Sequence, residues 1–142
     1  MAITSAIPTS FKQELLVGTH NFTASTGDAF KLALYTSSAT LGAATTAFTT
    51  TGQASGTNYT SGGATVTSVT PTTSGTTAVC DFADLTFGTA TITARGCMIY
   101  NDDQSDKAVA VIDFGGDKTS TAGDFTIVFP SPTATGAIIR LA

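Results

Sequence analysis

Six aspartates in the last third of the chain are the residues whose type and spacing come nearest to chemistry. Asp102, Asp103 and Asp106 share one short polar stretch, and Asp113, Asp117 and Asp124 border the next. Two carboxylates held at a suitable separation can cleave a glycosidic bond by acid–base work. A group of them can hold Ca²⁺, which takes about six to eight oxygen ligands. The run Asn101-Asp102-Asp103-Gln104-Ser105-Asp106 lacks the alternate ligands and central glycine of an EF-hand loop. Asp102, Asp103 and Asp106 are therefore weak metal candidates, and solvated turns are the expected role, since Asp bonds its own backbone there.

The other reactive types are sparse. The one histidine, His20, stands beside Asn21 in a polar stretch, and no G-x-S-x-G elbow exists to supply a nucleophile. His20 is expected at a surface or loop position. Cys80 and Cys97 lie in apolar, strand-like runs and are expected as buried free thiols. A disulfide between neighbouring strands is the alternative, to be judged only by geometry. A zinc site would have only His20 to join the pair, without C-x-x-C spacing. Gly62-Gly63 and Gly115-Gly116 open no convincing helix, so no phosphate loop or dinucleotide fingerprint is read. Neither a catalytic residue nor a cofactor is expected.

Elements must hold these residues, and composition says which kind. The chain has 142 residues, enough for one domain. Hydrophobic residues make up 42% and charged residues only 11%, against a usual share of about a quarter. Thr alone occurs 30 times, and Thr, Ser, Gly and Ala together exceed half of the chain. A branched Cβ suits a pleated sheet and loses rotamer freedom in a helix, so strands are favoured. Low charge with a mean hydropathy of +0.24 is not the signature of disorder. A formal charge of −4 with scattered cations is the wrong pattern for nucleic acid. No window nears the roughly 18 apolar residues of a membrane span, and no secretory leader is read at the start. The chain is accordingly expected in a cytosol, or released from one by lysis.

Periodicity divides the chain into an extended arm, residues 1–10, and a single β-sandwich domain, residues 11–142. Ser10-Phe11-Lys12-Gln13 reads as a capping box opening a helix of about two turns, and Gly18 suits its C-terminus. Residues 29–36 alternate, with Phe30, Leu32 and Leu34 on one face and Lys31, Ala33 and Tyr35 on the other. The Thr/Ala/Gly-rich stretch 41–63 is either a long loop or flat strands of weak register. Further strands are expected at 64–70, 76–82, 89–94, 97–100, 107–114, 124–129 and 137–141. Turns fall between them, at Pro71 to Gly75, Asn101 to Asp106, Gly115-Gly116 and Pro130 to Gly136. Arg95-Gly96 is a bulge or a tight bend. The fold class is all-β, an antiparallel β-sandwich or a jelly-roll or barrel-like fold, with one short N-terminal helix and the extended arm.

Several segments carry a resemblance. Ile7-Pro8-Thr9-Ser10-Phe11-Lys12-Gln13-Glu14-Leu15-Leu16 is followed by Asp28-Ala29-Phe30-Lys31-Leu32-Ala33-Leu34-Tyr35-Thr36. Then come Asp81-Phe82-Ala83-Asp84-Leu85-Thr86-Phe87, Thr91-Ile92-Thr93-Ala94-Arg95-Gly96 and Ala108-Val109-Ala110-Val111-Ile112-Asp113-Phe114-Gly115. This layout resembles small virion structural proteins of tailed bacteriophages. The resemblance implies a non-enzymatic β-rich protein, foremost a capsid decoration or cement protein, with a tail or head–tail component or a host-glycan-binding module as alternatives. It implies the major capsid protein and copies of the same chain as partners, a homo-oligomer, and a place in the virion assembled in the host cytoplasm. Within it, the arm is the first candidate for reaching a neighbour, with Ile3, Ile7, Pro8 and Phe11 as contact residues adding to a neighbouring sheet edge. The 41–63 stretch is the second.

Overall fold

The structure, a computed structural model, describes residues 2–142. One helix, α1 (Thr9–Leu16), precedes eight strands: β1 (Phe30–Tyr35), β2 (Gly56–Thr57), β3 (Ala64–Val66), β4 (Ser68–Ser74), β5 (Thr77–Phe82), β6 (Leu85–Asn101), β7 (Lys107–Ile127) and β8 (Ile139–Leu141). All strand pairings are antiparallel, and the strands form two sheets. In the larger, β6 is central: it pairs with β7 along one side and with β1 and β2 along the other, and β3 adds to β1. The smaller has the order β4-β5-β8. The all-β, sandwich-like class expected from the threonine content is what the chain forms.

The alternation in residues 29–36 places both faces of β1 in apolar surroundings. Phe30, Leu32 and Leu34 enter the main core with Phe82, Cys97, Ile99 and Val109. Ala33 and Tyr35 enter a second cluster with Ile3, Leu41, Met98 and Tyr100 on the opposite face. The middle of the larger sheet is thus covered twice, by the smaller sheet's side of the core and by the straps described below.

The helix begins differently from the capping box. Its N-cap is Pro8 and no side chain caps it, while Ser10 lies inside the first turn with its hydroxyl buried and unpartnered among the described residues. Pro8 sets the entry because its ring fixes φ, here −56°. Thr9 N–H is satisfied by Ala43 O at 2.9 Å instead. The C-terminus follows expectation: Gly18 N–H bonds Leu15 O and Thr19 N–H bonds Glu14 O, the paired bonds of a Schellman motif, with Gly18 at φ +74°.

Two expected turns are strand instead. The expected strands 107–114 and 124–129 merge into one strand, β7, which passes through Gly115-Gly116 and ends at Ile127. Ala94 pairs with Lys118 and Gly96 with Asp113, so Arg95 alone opposes residues 114–117. The glycines make a wide bulge rather than a reversal, with Gly115 at φ +79°, and Arg95 Nε donates to Asp113 Oδ1 at 2.9 Å across its mouth. A bulge bends its strand and increases local twist, which curls the β6–β7 ribbon. Pro71 likewise sits within β4, at the register shift between Val69 and Thr72 on an edge strand, the setting where a missing N–H is tolerated. The expected strand 64–70 splits at Thr67, leaving one sheet for the other.

The stretch 41–63 is a strap with one short strand. Ala54 N–H bonds Leu34 O at 2.8 Å, Phe48 N–H bonds Asp106 O at 2.9 Å, and Ala108 N–H bonds Thr46 O at 3.0 Å. Phe48 stacks on Tyr100 with ring centroids 4.7 Å apart. The N-terminal arm is extended, as expected, but lies along its own domain. Ala6 and Val111 exchange two backbone hydrogen bonds of 2.9 Å, Thr4 N–H bonds Leu41 O, and Ser5 Oγ accepts Asp113 N–H. The expectation of an arm free to reach a neighbour is corrected: in this structure the arm adds to the edge of β7 in the same chain.

Candidate functional site

Each residue singled out by sequence has a definite place. Asp102, Asp103 and Asp106 occupy the β6–β7 hairpin, and the carboxylates of Asp102 and Asp103 serve separate partners. Asp103 Oδ2 accepts Ala29 N–H at 2.7 Å and ties the hairpin to the start of β1. Asp102 Oδ1 lies 3.7 Å from Lys31 Nζ on an exposed surface. Ser105 and Asp106 take positive φ, 54° and 56°, to close the turn. Among the described residues no group of three or more His, Cys, Asp or Glu could hold a metal ion.

His20 lies in the loop after α1, as expected, but away from the surface, for its side chain is fully buried. It lies 4.8 Å from the ring of Phe11, centroid to centroid, between α1 and the end of β6. Nε2 is 2.9 Å from Glu14 Oε1, and Nδ1 is 2.9 Å from Asn101 Nδ2. Asn101 Nδ2 donates as well to Asp28 Oδ2 at 2.9 Å, while its Oδ1 accepts Asp103 N–H. That last bond fixes the amide orientation, so Nδ1 of His20 is the acceptor and Nε2 carries the proton given to Glu14. Burial alone would raise the Asp28 carboxyl. Hydrogen bonds from Asn101, Asn21 N–H and Gln104 outweigh it and hold Asp28 below the usual carboxylate range. This chain of four polar side chains joins α1 to the sheet.

Cys80 and Cys97 are both free thiols, as expected. Burial pushes Cys97 up to about 12 and Cys80 up to about 11, so neither is a thiolate at neutral pH. Of the four residues expected to touch a partner, Phe11 is wholly buried, Ile3 is 6% exposed, Pro8 is buried and Ile7 is half-buried against the main core. In this structure the four side chains pack mainly within the chain itself.

Two surface features remain, both on the β6–β7 ribbon. The first is its outward face. Thr86, Thr91, Thr93, Thr119 and Thr126 are exposed there, above the buried Phe87, Ala90, Ile92 and Phe125. Thr86 Oγ1 and Thr126 Oγ1 are 3.0 Å apart, as are Thr93 Oγ1 and Thr119 Oγ1. Thr91 Oγ1 accepts Ala122 N–H at 3.0 Å. The second feature is a cleft of about 490 Å³ between the two halves of curled β7 and the segment that follows it. Ile112, Phe114, Phe125, Ile127 and Ile138 line it, with Lys118 and Asp124 as its charged members. Sequence reading missed both, because they depend on β6 and β7 being continuous through residues taken for breaks.

No helix among the described residues is long and apolar enough to cross a membrane. No family model, curated protein or solved structure matches this chain.

Proposed function

We propose that the chain is a non-enzymatic structural protein of a tailed-bacteriophage particle, decorating the assembled capsid lattice in many copies and stabilising it. Its partners are the major capsid protein and further copies of itself, and its place is the virion, assembled in the host cytoplasm. The observation that carries this reading is the paired-threonine face of the ribbon. Its hydroxyls are already hydrogen-bonded to one another, so docking a neighbour on it strands few polar groups. Short β-branched side chains also lose little rotamer entropy on contact, which favours close packing. Low charge reduces repulsion between identical copies laid side by side. Many such weak contacts in a symmetric array give avidity without one strong site.

The experiment is to mix the purified chain with mature undecorated capsids, sediment them and count bound chains per major capsid subunit. Saturation at a ratio set by the lattice supports decoration, and Thr93→Lys together with Thr126→Lys should then lower occupancy. A handful of chains per particle overturns it in favour of a vertex or tail position, and no binding overturns it outright.

A further inference from the structure

The most exposed large apolar side chains form a knob and the rim of a hollow. Leu16 is 88% exposed and Val17 is 70% exposed where α1 ends, and Val128, at 71%, stands on the rim of the cleft. We infer that the Leu16–Val17 knob of one copy seats in the β7 cleft of a second copy, so that the chain self-associates through two dissimilar surfaces. The inference rests on the many-copy reading above for its setting, but its chemistry is independent of any capsid.

Charge favours this occupant. Lys12 is exposed one turn before Leu16, and residues four apart share a helix face. Asp124 in the cleft has given only Oδ1 to Thr89 N–H, at 3.3 Å. At the other end of the knob, backbone N–H groups take the Leu15 and Glu14 carbonyls, but no basic residue lies in the last turn to offset the negative end of the helix. Lys118 in the cleft has no carboxylate within 4.0 Å among the described residues. Seating the knob therefore brings Lys12 to Asp124 and the helix end to Lys118, each a complementary pair. A contact of one knob is small beside the roughly 1,200–2,000 Å² buried in stable complexes. Association is weak in solution and becomes effective only where many copies are held together.

Sedimentation velocity over a wide concentration range tests this with wild type, Leu16→Lys and Val128→Asp. Both substitutions are at exposed positions, and a lysine at the helix C-terminus suits the helix dipole, so circular dichroism should be unchanged. Wild type should gain mass with concentration, and each variant should lose at least about tenfold in association constant, as when a large aliphatic side chain is left in water. An equimolar mixture of the two variants should form a heterodimer, because one keeps an intact cleft and the other an intact knob. A wild type that stays monomeric, or a mixture that does not re-form the contact, overturns the inference. Capsid binding is scored separately. Chains that bind capsids yet never self-associate retire the knob contact alone, whereas self-association without capsid binding supports the contact and retires decoration alone.

Discussion

Asn101 Nδ2 lies 2.9 Å from His20 Nδ1, and this contact decides which proton the buried imidazole carries. The same amide reaches Asp28 and takes the backbone N–H of Asp103. One side chain therefore settles three polar groups at the junction of α1, the approach to β1 and the hairpin. Replacing it with Ala strands them. Asn101→Ala is expected to cost about 2–4 kcal/mol, the penalty for buried groups left without partners, as read from urea denaturation midpoints.

Acid stability should show the mark of Asp28. Its pKa in the folded chain is lowered below the ordinary value for an aspartate, so the folded state favours the ionised form. The contribution is present above about pH 4 and is lost as pH falls through the folded value. Denaturation curves between about pH 2 and pH 5 should therefore be less steep in pH for Asp28→Asn than for wild type. Equal slopes would show that Asp28 carries no such linkage.

Gly96 and Ile3 are in close packing. A Cβ on Gly96 would come within 2.5 Å of Ile112 O and 3.0 Å of two Ile3 carbons. Gly96→Ala is expected to destabilise by about 1–3 kcal/mol through overpacking. Ile3→Ala should relieve only the side-chain part, because the backbone contact remains. A double-mutant cycle by thermal denaturation measures that coupling.

The arm's bonds make it structural. Deleting residues 1–7 uncovers the β7 edge at Val111 and the side chain of Leu41, and removes the buried Ile3. The truncated chain should melt several degrees lower and expose an unpaired edge open to aggregation. Differential scanning calorimetry with light scattering checks both effects. An unchanged melting temperature would show that the arm contributes nothing.

The thiols should be silent in the folded state. With Cys97 fully buried and both thiols raised by burial, an aromatic disulfide reagent at pH 8 should label Cys97 only after denaturant is added, and Cys80 slowly before it. Rapid labelling of Cys97 in buffer would mean that the core opens there.

Local signals in the chain carried much of this architecture. The two faces of residues 29–36 and the end of α1 at Gly18 each depend on neighbours within a few residues. Gly115-Gly116 and Pro71 misled because a glycine pair or a proline has the same local signature in a turn as in a bulge. Only the partner strand distinguishes them, and Arg95 opposite residues 114–117 is a long-range fact. His20 reads correctly as a loop residue, but its burial was hidden because its neighbours in sequence are polar. Its actual surroundings, Glu14, Asn101 and Phe11, come largely from other elements. The threonine face was legible as composition, but its pairing across β6 and β7 was not.

The bond between Ser5 Oγ and Asp113 N–H spans 108 residues of sequence. The arm precedes β7 in the chain, so its binding edge does not exist until β7 has been made. Its docking closes that long loop and costs the corresponding closure entropy. Until that moment the edge of β7 stays open and Ile3 stays in water. The arm therefore acts as a latch: its docking marks a completed β7, and any neighbour meeting the chain before that meets an unsealed sheet.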